Sequence, residues 1–378
     1  MSEIRVNNLS NESLSGGPTI SGITTFSSPY FFVPPQGDTA SRPQDCPPGS
    51  LRFNTDTAKL EYYKGTVIDW VEIDATNDEL GGGTGSNTGL GTRGFTAGHH
   101  VYGDEIEFIT ISTLGNSQDF GDITNGTFNH GNSVCSDTRS LFAGGYYLNV
   151  ICFWTVASLG DAVDFGDLTS PRYGTSGCND KIRGIYAGGL GPGVALENTM
   201  DYVTIATTGN AVDYGDLGAA KRTDSSLSSS TRGIWSYGTS PVSTIEFTNI
   251  RSTGNTTDFG DGYMNGIHGG GSSSTRGIFS GGYITNIISY ITMTTTGNTT
   301  DFGDMTTKRY NQYNMSSPTR CVLGSGNSYT APATTRTNVL DHVEIATTGN
   351  AVDFGDMVYM TTQDLGNAGS NGHGGLSG

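Results

Sequence analysis

The sequence predicts an all-β protein built mostly from six copies of one β unit. A tetrapeptide of Asp, Phe or Tyr, Gly and Asp occurs six times, at intervals of 43 to 52 residues. A period of this length is typical of propeller blades and similar β arrays. The composition, with 57 glycines and only 15% charged residues, favours turns and short strands over helices. No segment shows the sustained 3.6-residue periodicity that predicts a helix.

The net charge argues against two classes of partner, and the cysteines indicate a reducing compartment. A formal net charge of −17 argues against binding to nucleic acid or to an acidic membrane surface. No apolar run reaches the roughly 18 residues of a membrane span, and no signal peptide is recognisable at the N-terminus. The five cysteines lie far apart without a CxxC pair, which predicts buried free thiols in a reducing compartment.

Three regions follow one another along the chain. Residues 1–78 lack the repeat, and residues 51–73 read as strand, turn, strand, turn, strand. Such a small sheet is marginally stable alone, so we expect this region to anchor the chain on a partner and to oligomerise. Residues 79–91 form a Gly-rich linker. Their spacing resembles a nucleotide-binding loop, but no strand precedes it and no helix follows. Residues 92–378 hold the six repeats.

Residues 182–230 illustrate one repeat unit. Residues 184–189 read as a short strand that ends in a Gly pair, and residues 202–207 alternate apolar and polar positions, as a half-buried strand does. Gly209 and Asn210 form a tight turn. Residues 211–217 return as a third strand, and residues 225–229 form a strand of small residues. The inward candidates on the alternating strands are Ile109, Ile111, Trp154, Val156, Val203, Ile205, Ile250, Ile291, Met293, Val343 and Ile345.

The two ends of the repeat region predict how the array closes. It opens at Arg93 without a small-residue strand and ends with a spare candidate strand, residues 364–370. A ring in which this C-terminal strand completes the first blade leaves no exposed sheet edge. We therefore predict a six-bladed β-propeller, with an open β-solenoid as the competing architecture.

The repeat unit resembles the kelch repeat of β-propellers over residues 92–370. The resemblance rests on four strands per unit, on a Gly pair after the second strand and on an aromatic residue in the fourth. It departs from kelch at the first strand, which has small residues, and at the aromatic position, where kelch repeats usually carry Trp.

The tetrapeptide predicts a structural role. The aromatic ring packs between neighbouring units, the glycine permits close backbone approach, and the carboxylates accept backbone N–H groups or pair with a repeated arginine. Calcium binding by the paired carboxylates is the alternative. The kinase motif that shares the letters DFG is excluded, because its companion motifs are missing. The tetrapeptide positions are Asp119, Phe120, Asp122, Asp164, Phe165, Asp167, Asp213, Tyr214, Asp216, Asp258, Phe259, Asp261, Asp301, Phe302, Asp304, Asp353, Phe354 and Asp356. The repeated arginines are Arg93, Arg139, Arg183, Arg232, Arg276 and Arg320.

No catalytic, cofactor or metal site is predicted. The histidines lack ligand spacing, no GxSxG elbow occurs, and no carboxylate pair stands out from the repeated ones. Two long loops, residues 190–199 and 327–338, follow the Gly-pair strands of units three and six. The candidate binding residues in these and neighbouring loops are Tyr146, Tyr147, Tyr283 and Tyr329. Tyrosine and asparagine in these loops suit sugar stacking and hydrogen bonding. The alternative is that they are ordinary solvent-facing loops without a binding role.

Two segments carry a further family resemblance. Residues 49–63, with Trp70, resemble a segment found in virion structural and tail-fibre proteins of tailed phages. Residues 21–26 and the repeat at 207–216 resemble predicted structural proteins of marine cyanophages. The resemblance implies a virion appendage or decoration that is assembled in the host cytoplasm, with residues 1–78 docking to other virion proteins.

The expected function is therefore that of a non-enzymatic virion protein that displays a propeller. It would bind a host-surface glycan or neighbouring subunits, as a homo-oligomer for which a trimer is favoured. One alternative is a polysaccharide-degrading virion enzyme on the same scaffold. The other is a purely architectural capsid or tail knob or hub.

Overall fold

The computed structural model describes residues 34–43, 46–57, 59–66, 69–73, 92–98, 104–123, 131–223, 225–237, 243–262, 268–283, 285–330, 333–358 and 368–376. These residues form β-strands and two short 3-10 helices, Pro192–Val194 and Gly374–Leu376, and the described part contains no α-helix. The expected all-β class is confirmed. The chain divides into two compact units, Met1–Thr76 and Asn77–Gly378. The predicted linker at residues 79–91 lies outside the described residues.

The first unit is a four-stranded sheet of β1 (Gln36–Gly37), β2 (Leu51–Asn54), β3 (Lys59–Tyr63) and β4 (Trp70–Ile73). β2, β3 and β4 are antiparallel, and β1 adds a parallel edge. The sheet buries a polar group, since the Glu61 carboxylate is fully buried and accepts hydrogen bonds from Arg42 and from Asn54 Nδ2 (2.8 Å). The bond from Arg42 lowers the pKa of Glu61.

The second unit contains six sheets, numbered here along the chain. Sheet 1 contains β5 (Arg93–Ala97), β6 (Glu105–Thr110) and β7 (Gln118–Asp122), and sheet 2 contains β8 (Asn132–Cys135), β9 (Arg139–Ala143), β10 (Val150–Thr155) and β11 (Val163–Asp167). Sheet 3 contains β12 (Ser176–Asn179), β13 (Arg183–Ala187), β14 (Thr199–Thr204) and β15 (Val212–Asp216). Sheet 4 contains β16 (Ser225–Ser228), β17 (Arg232–Tyr237), β18 (Ser243–Asn249) and β19 (Thr257–Gly262). Sheet 5 contains β20 (Gly269–Ser272), β21 (Arg276–Ser280), β22 (Ile287–Thr292) and β23 (Thr300–Asp304). Sheet 6 contains β24 (Arg309–Tyr310), β25 (Tyr313–Ser316), β26 (Arg320–Thr330), β27 (Ala333–Glu344) and β28 (Val352–Asp356), and β29 (Ala368–Ser370) joins sheet 1.

The C-terminal strand β29 supplies the strand that sheet 1 lacks. Ala368 lies opposite Thr96 and Ser370 lies opposite Gly94, so the order of sheet 1 is β29-β5-β6-β7. This is the pairing that the sequence predicts for residues 368–370, while residues 364–367 lie outside the described part. Below, the four main strands of every sheet are called first to fourth in the order of this sheet. The first strands are β29, β8, β12, β16, β20 and β25.

The hydrophobic core lies between the sheets, in six clusters. Each cluster packs the tetrapeptide aromatic of one sheet against the third strand of the next. Phe165 of sheet 2, for example, packs with Val203 and Ile205 of sheet 3. In the last cluster Phe354 of sheet 6 packs with Ile109 of sheet 1. All of the inward candidates on the third strands are buried, as expected.

A β-bulge directs each tetrapeptide aromatic into its cluster. In sheet 2, Ile151 lies opposite Gly166 and Cys152 lies opposite Asp164, so that Phe165 has no partner in the ladder. The same shift occurs at the aromatic in all six sheets. A bulge inserts an unpaired residue and increases the local twist. The aromatic is therefore free to turn from its own ladder towards the neighbouring sheet.

Hydroxyl groups link the first strands of neighbouring sheets. Ser272 Oγ donates to Ser228 O (2.8 Å), Ser316 Oγ donates to Ser272 O (3.0 Å) and Ser370 Oγ donates to Ser316 O (2.7 Å). Asn179 continues the series with a bond from Nδ2 to Cys135 O (2.8 Å). The first strands contact one another in sheet order, and β29 of sheet 1 also contacts β8 of sheet 2. The small residues predicted for these strands allow this close approach.

Candidate functional site

A turn between the third and fourth strands, Gly-Asn in five sheets and Gly160-Asp161 in sheet 2, fastens each sheet to the one before it and is called the Gly-Asn turn below. In sheet 3, Gly209 N donates to Phe165 O (2.8 Å) and Ala211 N donates to Asp167 O (2.7 Å). The Asn210 side chain accepts from Asp167 N at 3.2 Å. Equivalent turns join every neighbouring pair of sheets, including sheet 1 to sheet 6, where Asn116 Oδ1 accepts from Asp356 N (3.0 Å).

The tetrapeptide glycine is required by this joint. Gly166 has φ of +147°, and a Cβ at this position would lie 2.5 Å from the carbonyl of Gly209. The other five tetrapeptide glycines lie equally close to the turn of the next sheet. A side chain at any of these positions would separate the two sheets. This agrees with the close approach predicted from the sequence.

The repeated arginines form a second joint between sheets. Arg139 Nη1 in sheet 2 donates to Ala206 O in sheet 3 (2.9 Å), and its guanidinium carbon lies 4.6 Å from the ring centroid of Phe153. The remaining arginines bond in the same way, Arg93 to Val156, Arg183 to Arg251, Arg232 to Met293, Arg276 to Ile345 and Arg320 to Ile111. Arg320 therefore connects sheet 6 to sheet 1.

The expected pairing of these arginines with the tetrapeptide carboxylates is wrong. The arginines bind backbone carbonyls at the turn that ends a third strand, while the first Asp of every tetrapeptide is exposed. A strand that ends in a turn leaves carbonyl oxygens without a ladder partner. The planar guanidinium can satisfy them while it stacks on an aromatic ring. The second Asp of the tetrapeptide contributes its backbone N–H and C=O to the turn joint instead.

The described residues contain no group of three or more His, Cys, Asp or Glu side chains placed to hold a metal ion. The described residues also contain no helix long and apolar enough to cross a membrane. The cysteines are free, with Cys135, Cys152, Cys178 and Cys321 buried and Cys46 only partly buried. Burial raises the pKa of Cys152 to about 12.

The antiparallel order of the strands gives each sheet two different ends. First strands begin and second strands finish at one end, called here the loop end, where the variable loops lie. First strands finish at the other end, the turn end, where the arginines and the Gly-Asn turns lie. Tyr146, Tyr147 and Tyr283 belong to the loop end, because they follow the second strands β9 and β21. This end is therefore the candidate binding surface.

Tyr146 and Tyr147 form an aromatic cluster with Tyr173 at the loop end. The ring centroid of Tyr146 lies 4.4 Å from that of Tyr147 and 5.2 Å from that of Tyr173. Tyr146 is 54% exposed, and its hydrogen bond with Tyr147 raises its pKa. Tyr147 has φ of +61°, a left-handed conformation that is uncommon for a residue with a side chain. Such conformations are found preferentially at functional sites.

A second aromatic pair lies at the loop end between sheets 5 and 6. Tyr283 is 51% exposed, and its ring centroid lies 5.4 Å from that of Tyr310. The fourth candidate, Tyr329, lies within β26 rather than in a loop, and its side chain is outside the described part. The expected loop at 327–338 is wrong over most of its length, because Asn327 pairs with Arg336 and Tyr329 with Thr334 in an extended hairpin.

A fully buried ion pair lies next to each aromatic group. Arg172, next to Tyr173, donates from Nη2 to Asp201 Oδ2 at 2.8 Å, and both side chains are 0% exposed. Thr169 donates its hydroxyl to Asp201 Oδ1 (2.7 Å). Burial lowers the pKa of Arg172, and the charge of Asp201 opposes this effect. The pair therefore holds the chain rigidly directly before Tyr173.

An equivalent buried ion pair lies next to Tyr310. Arg309 forms a buried ion pair with Asp341, and Thr306 Oγ1 donates to Asp341 Oδ1 at 2.8 Å. Burial also lowers the pKa of Arg309. The sequence interpretation missed both residues because neither lies in a loop after a Gly pair: Tyr173 lies in the link between sheets 2 and 3, and Tyr310 in the short strand β24 of sheet 6. The dipeptide Arg-Tyr at 172–173 and 309–310, spaced as Tyr146 and Tyr283 are, could have identified them.

A narrow polar cavity of about 70 Å³ is lined by the first strands of all six sheets. Its described lining is mostly hydroxyl, amide and glycine, with His268 and His373 as its histidines, and contains no Asp, Glu, Lys or Arg. This volume holds a few water molecules. The cavity is too narrow to enclose a sugar ring, so a ligand of that size would have to bind outside it.

The C-terminal residues pack against the turn end of the first strands. Gly374, Gly375 and Leu376 are buried, and His373 Nε2 lies 2.9 Å from Cys135 O. Gly375 N donates to His373 Nδ1 at 3.0 Å. Burial lowers the pKa of His373 to about 4. This segment therefore covers the cavity at the turn end and not at the loop end.

The chain matches no protein-family model and shows no significant similarity to any curated protein.

Proposed function

We propose that the six sheets are the blades of a six-bladed β-propeller and that the protein is a non-enzymatic structural protein of a tailed-phage virion. In this proposal it is a tail fibre, appendage or decoration. The loop end is displayed for binding to a host-surface glycan or to neighbouring subunits. The observation that carries the binding function is the pair of tyrosine groups at this end, each with one half-exposed ring, Tyr146 or Tyr283, and each supported by a buried ion pair.

The order of the joints between sheets supports the propeller. The Gly-Asn turns, the arginine bonds and the aromatic clusters each connect one sheet with its neighbour in the same direction. All three kinds of joint also connect sheet 6 with sheet 1. An open β-solenoid would leave the first and last units with unmatched faces.

The environment of the buried carboxylates supports a binding role over catalysis. Asp201 and Asp341 are bound to Arg172 and Arg309, and Glu246 accepts hydrogen bonds from Thr256 Oγ1 and Gly218 N (3.0 Å). Catalytic carboxylates need an accessible face towards a substrate. Asp201 and Asp341 instead fix the segments that carry Tyr173 and Tyr310, and Glu246 fixes the link between sheets 3 and 4.

The virion location rests on the phage resemblance of residues 49–63. These residues form β2 and β3 of the N-terminal sheet and the turns beside them. A sheet of four short strands gains stability from a partner surface. We propose that this unit docks to other virion proteins and forms homo-oligomers, most simply trimers.

Two experiments test the proposed function. Purified protein is passed over immobilised host-envelope polysaccharide, and the eluted glycan is examined for cleavage. Retention without released oligosaccharide is expected, whereas release would favour the polysaccharide-degrading enzyme. A phage that lacks residues 92–378 is then compared with its parent for adsorption to the host. Normal adsorption would contradict receptor binding and would favour an architectural knob.

A further inference from the structure

The second unit carries an internal duplication of three sheets. The third-strand residue opposite the first Asp of the tetrapeptide is Glu107, Cys152 and Asp201 in sheets 1, 2 and 3. In sheets 4, 5 and 6 it is Glu246, Ser289 and Asp341. Acidic, small and acidic residues therefore recur in the same order. The repetition divides the six sheets into two halves of equivalent chemistry.

The contacts of these residues repeat as well. Glu107 accepts from Ser117 Oγ (2.8 Å) and from Val358 N (3.0 Å). Glu246 accepts from Thr256 Oγ1 and Gly218 N, the equivalent atoms three sheets later. The buried Arg-Asp-Thr support occurs only for Asp201 and Asp341 among these described positions. The duplication thus reproduces hydrogen-bond partners and not only residue types.

Each support carries a tyrosine pair of the same construction. One tyrosine follows the buried arginine directly, and the other follows the Gly pair of the preceding sheet. The centroid separations are 5.2 Å for Tyr146 and Tyr173 and 5.4 Å for Tyr283 and Tyr310. In both pairs the ring after the Gly pair is about half exposed. Each group therefore presents one half-exposed ring to solvent, Tyr146 or Tyr283, whereas Tyr173 is buried and Tyr310 is partly buried.

We infer that these groups are two equivalent binding subsites for a neutral saccharide, three sheets apart on one chain. This inference rests on the proposed function and specifies its ligand and its stoichiometry. The C–H face of a pyranose ring stacks on an aromatic face, and tyrosine hydroxyls exchange hydrogen bonds with sugar hydroxyls. Tyrosine offers this contact with little loss of conformational freedom. A polysaccharide repeats the same unit many times, which suits two sites of similar construction.

The two subsites differ in one respect. Tyr147 adds a third ring to the first group, with its centroid 5.4 Å from that of Tyr173, whereas the sequence has Ile284 at the corresponding position. The first subsite therefore offers more aromatic surface and binds more tightly. Two linked sites of modest affinity together hold a polymer much longer than either does alone.

The test uses the whole protein with cellohexaose, maltohexaose, mannohexaose and chitohexaose as probes at millimolar concentration. Binding is followed through the ring signals of 13C-labelled tyrosine by NMR. Wild-type protein is expected to bind at least one probe at two sites, with the signals of both tyrosine groups shifting. Tyr146→Ala should remove the tighter site and Tyr283→Ala the weaker one. The double variant should bind at least tenfold more weakly than wild type.

The control is Leu159→Ala, which alters an exposed side chain at the turn end and should leave both sites intact. All variants are compared with wild type by circular dichroism. One site per chain, or binding unchanged in the double variant, would overturn the two-subsite inference and leave the proposed display function standing. Binding of no probe would overturn the saccharide assignment. Failure of the wild-type protein to be retained on host-envelope polysaccharide would instead count against the proposed function itself.

Discussion

Arg320 in sheet 6 donates a hydrogen bond from Nη1 to the carbonyl oxygen of Ile111 in sheet 1, at 3.0 Å. The two residues are 209 positions apart in the sequence. Five other arginines make the equivalent bond between consecutive sheets. Sheet 6 therefore contacts sheet 1 in the way that every other sheet contacts its successor, and the proposed ring depends on this relationship.

The first prediction concerns this bond. Arg320→Met keeps much of the side-chain length but leaves the Ile111 carbonyl without its charged donor. A hydrogen bond to a charged group contributes about 2 kcal/mol, so we expect the free energy of unfolding in urea to fall by about that amount. Arg336→Met alters an exposed arginine of sheet 6 and is the control. Equal urea midpoints for the two variants would contradict the role of Arg320.

The second prediction separates close approach from backbone strain at the tetrapeptide glycine. Gly166 and Gly209 have similar φ angles of +147° and +152°, but only Gly166 has backbone atoms within 4 Å of an added Cβ. Gly209→Ala should cost about 1 kcal/mol of stability through strain alone. Gly166→Ala should cost clearly more, because sheets 2 and 3 must separate. Thermal unfolding of both variants measures the difference, and equal losses would contradict the close approach.

The third prediction concerns the buried ion pair. Asp201→Asn leaves the Arg172 guanidinium buried without its counter-charge, which should destabilise the protein by about 3 kcal/mol. Asp341→Asn should give a similar loss, because Arg309 has the same surroundings. Asp213→Asn, at an exposed tetrapeptide position, is the matched control. Urea unfolding measures all three, and a loss at Asp201 no larger than at Asp213 would refute the interpretation.

The fourth prediction concerns pH. The folded protein holds His373 neutral, with Nδ1 accepting from Gly375 N and with a pKa lowered by burial from 6.5 to about 4. The unfolded chain takes up this proton at higher pH than the folded chain does. The contribution of His373 to stability is therefore complete above pH 6.5 and is lost as the pH falls towards 4. The loss amounts to about 3 kcal/mol.

The variant His373→Gln keeps a side-chain amide donor for the Cys135 carbonyl and removes the titration. Unfolding free energies of the two proteins are measured between pH 7 and pH 4. The difference between wild type and variant should change with pH in that range and be constant above it. Parallel curves throughout would show that His373 does not titrate with this shift.

Local sequence patterns were sufficient to predict much of the fold. The alternation at Val203 and Ile205 predicted the buried face of a third strand, and the recurring Phe165 position predicted the packing between sheets. The unmatched strand at the C-terminus predicted the pairing of Ser370 with the strand that begins at Arg93. Each of these inferences depends on burial and on the two-residue period of a strand, which the sequence displays directly.

The partners of polar groups could not be predicted in the same way. An arginine can bind a carboxylate or a backbone carbonyl, and the sequence does not show that carbonyls such as that of Ala206, at the turn ending a third strand, lie within reach of Arg139. The tyrosine groups combine loops from different sheets, so Tyr173 could be matched with Tyr146 only in three dimensions. The residues around Tyr329 have a composition typical of turns. Their pairing is visible only in the structure, where β26 and β27 continue as an extended hairpin.

We propose that the six sheets close into a ring with β29 beside β8, and an engineered disulfide between these two strands tests that closure. A Cβ at Gly369 would lie 3.1 Å from Cys135 Cβ, close to the disulfide separation of about 3.8 Å. Gly369→Cys is oxidised mildly, with Gly369→Cys/Cys135→Ser as control, and peptides are mapped by mass spectrometry without reduction. A closed ring should give a peptide linking residues 135 and 369 in the single variant and none in the control. Folded Gly369→Cys protein in which residue 369 stays unlinked, or links to another cysteine, would contradict the ring.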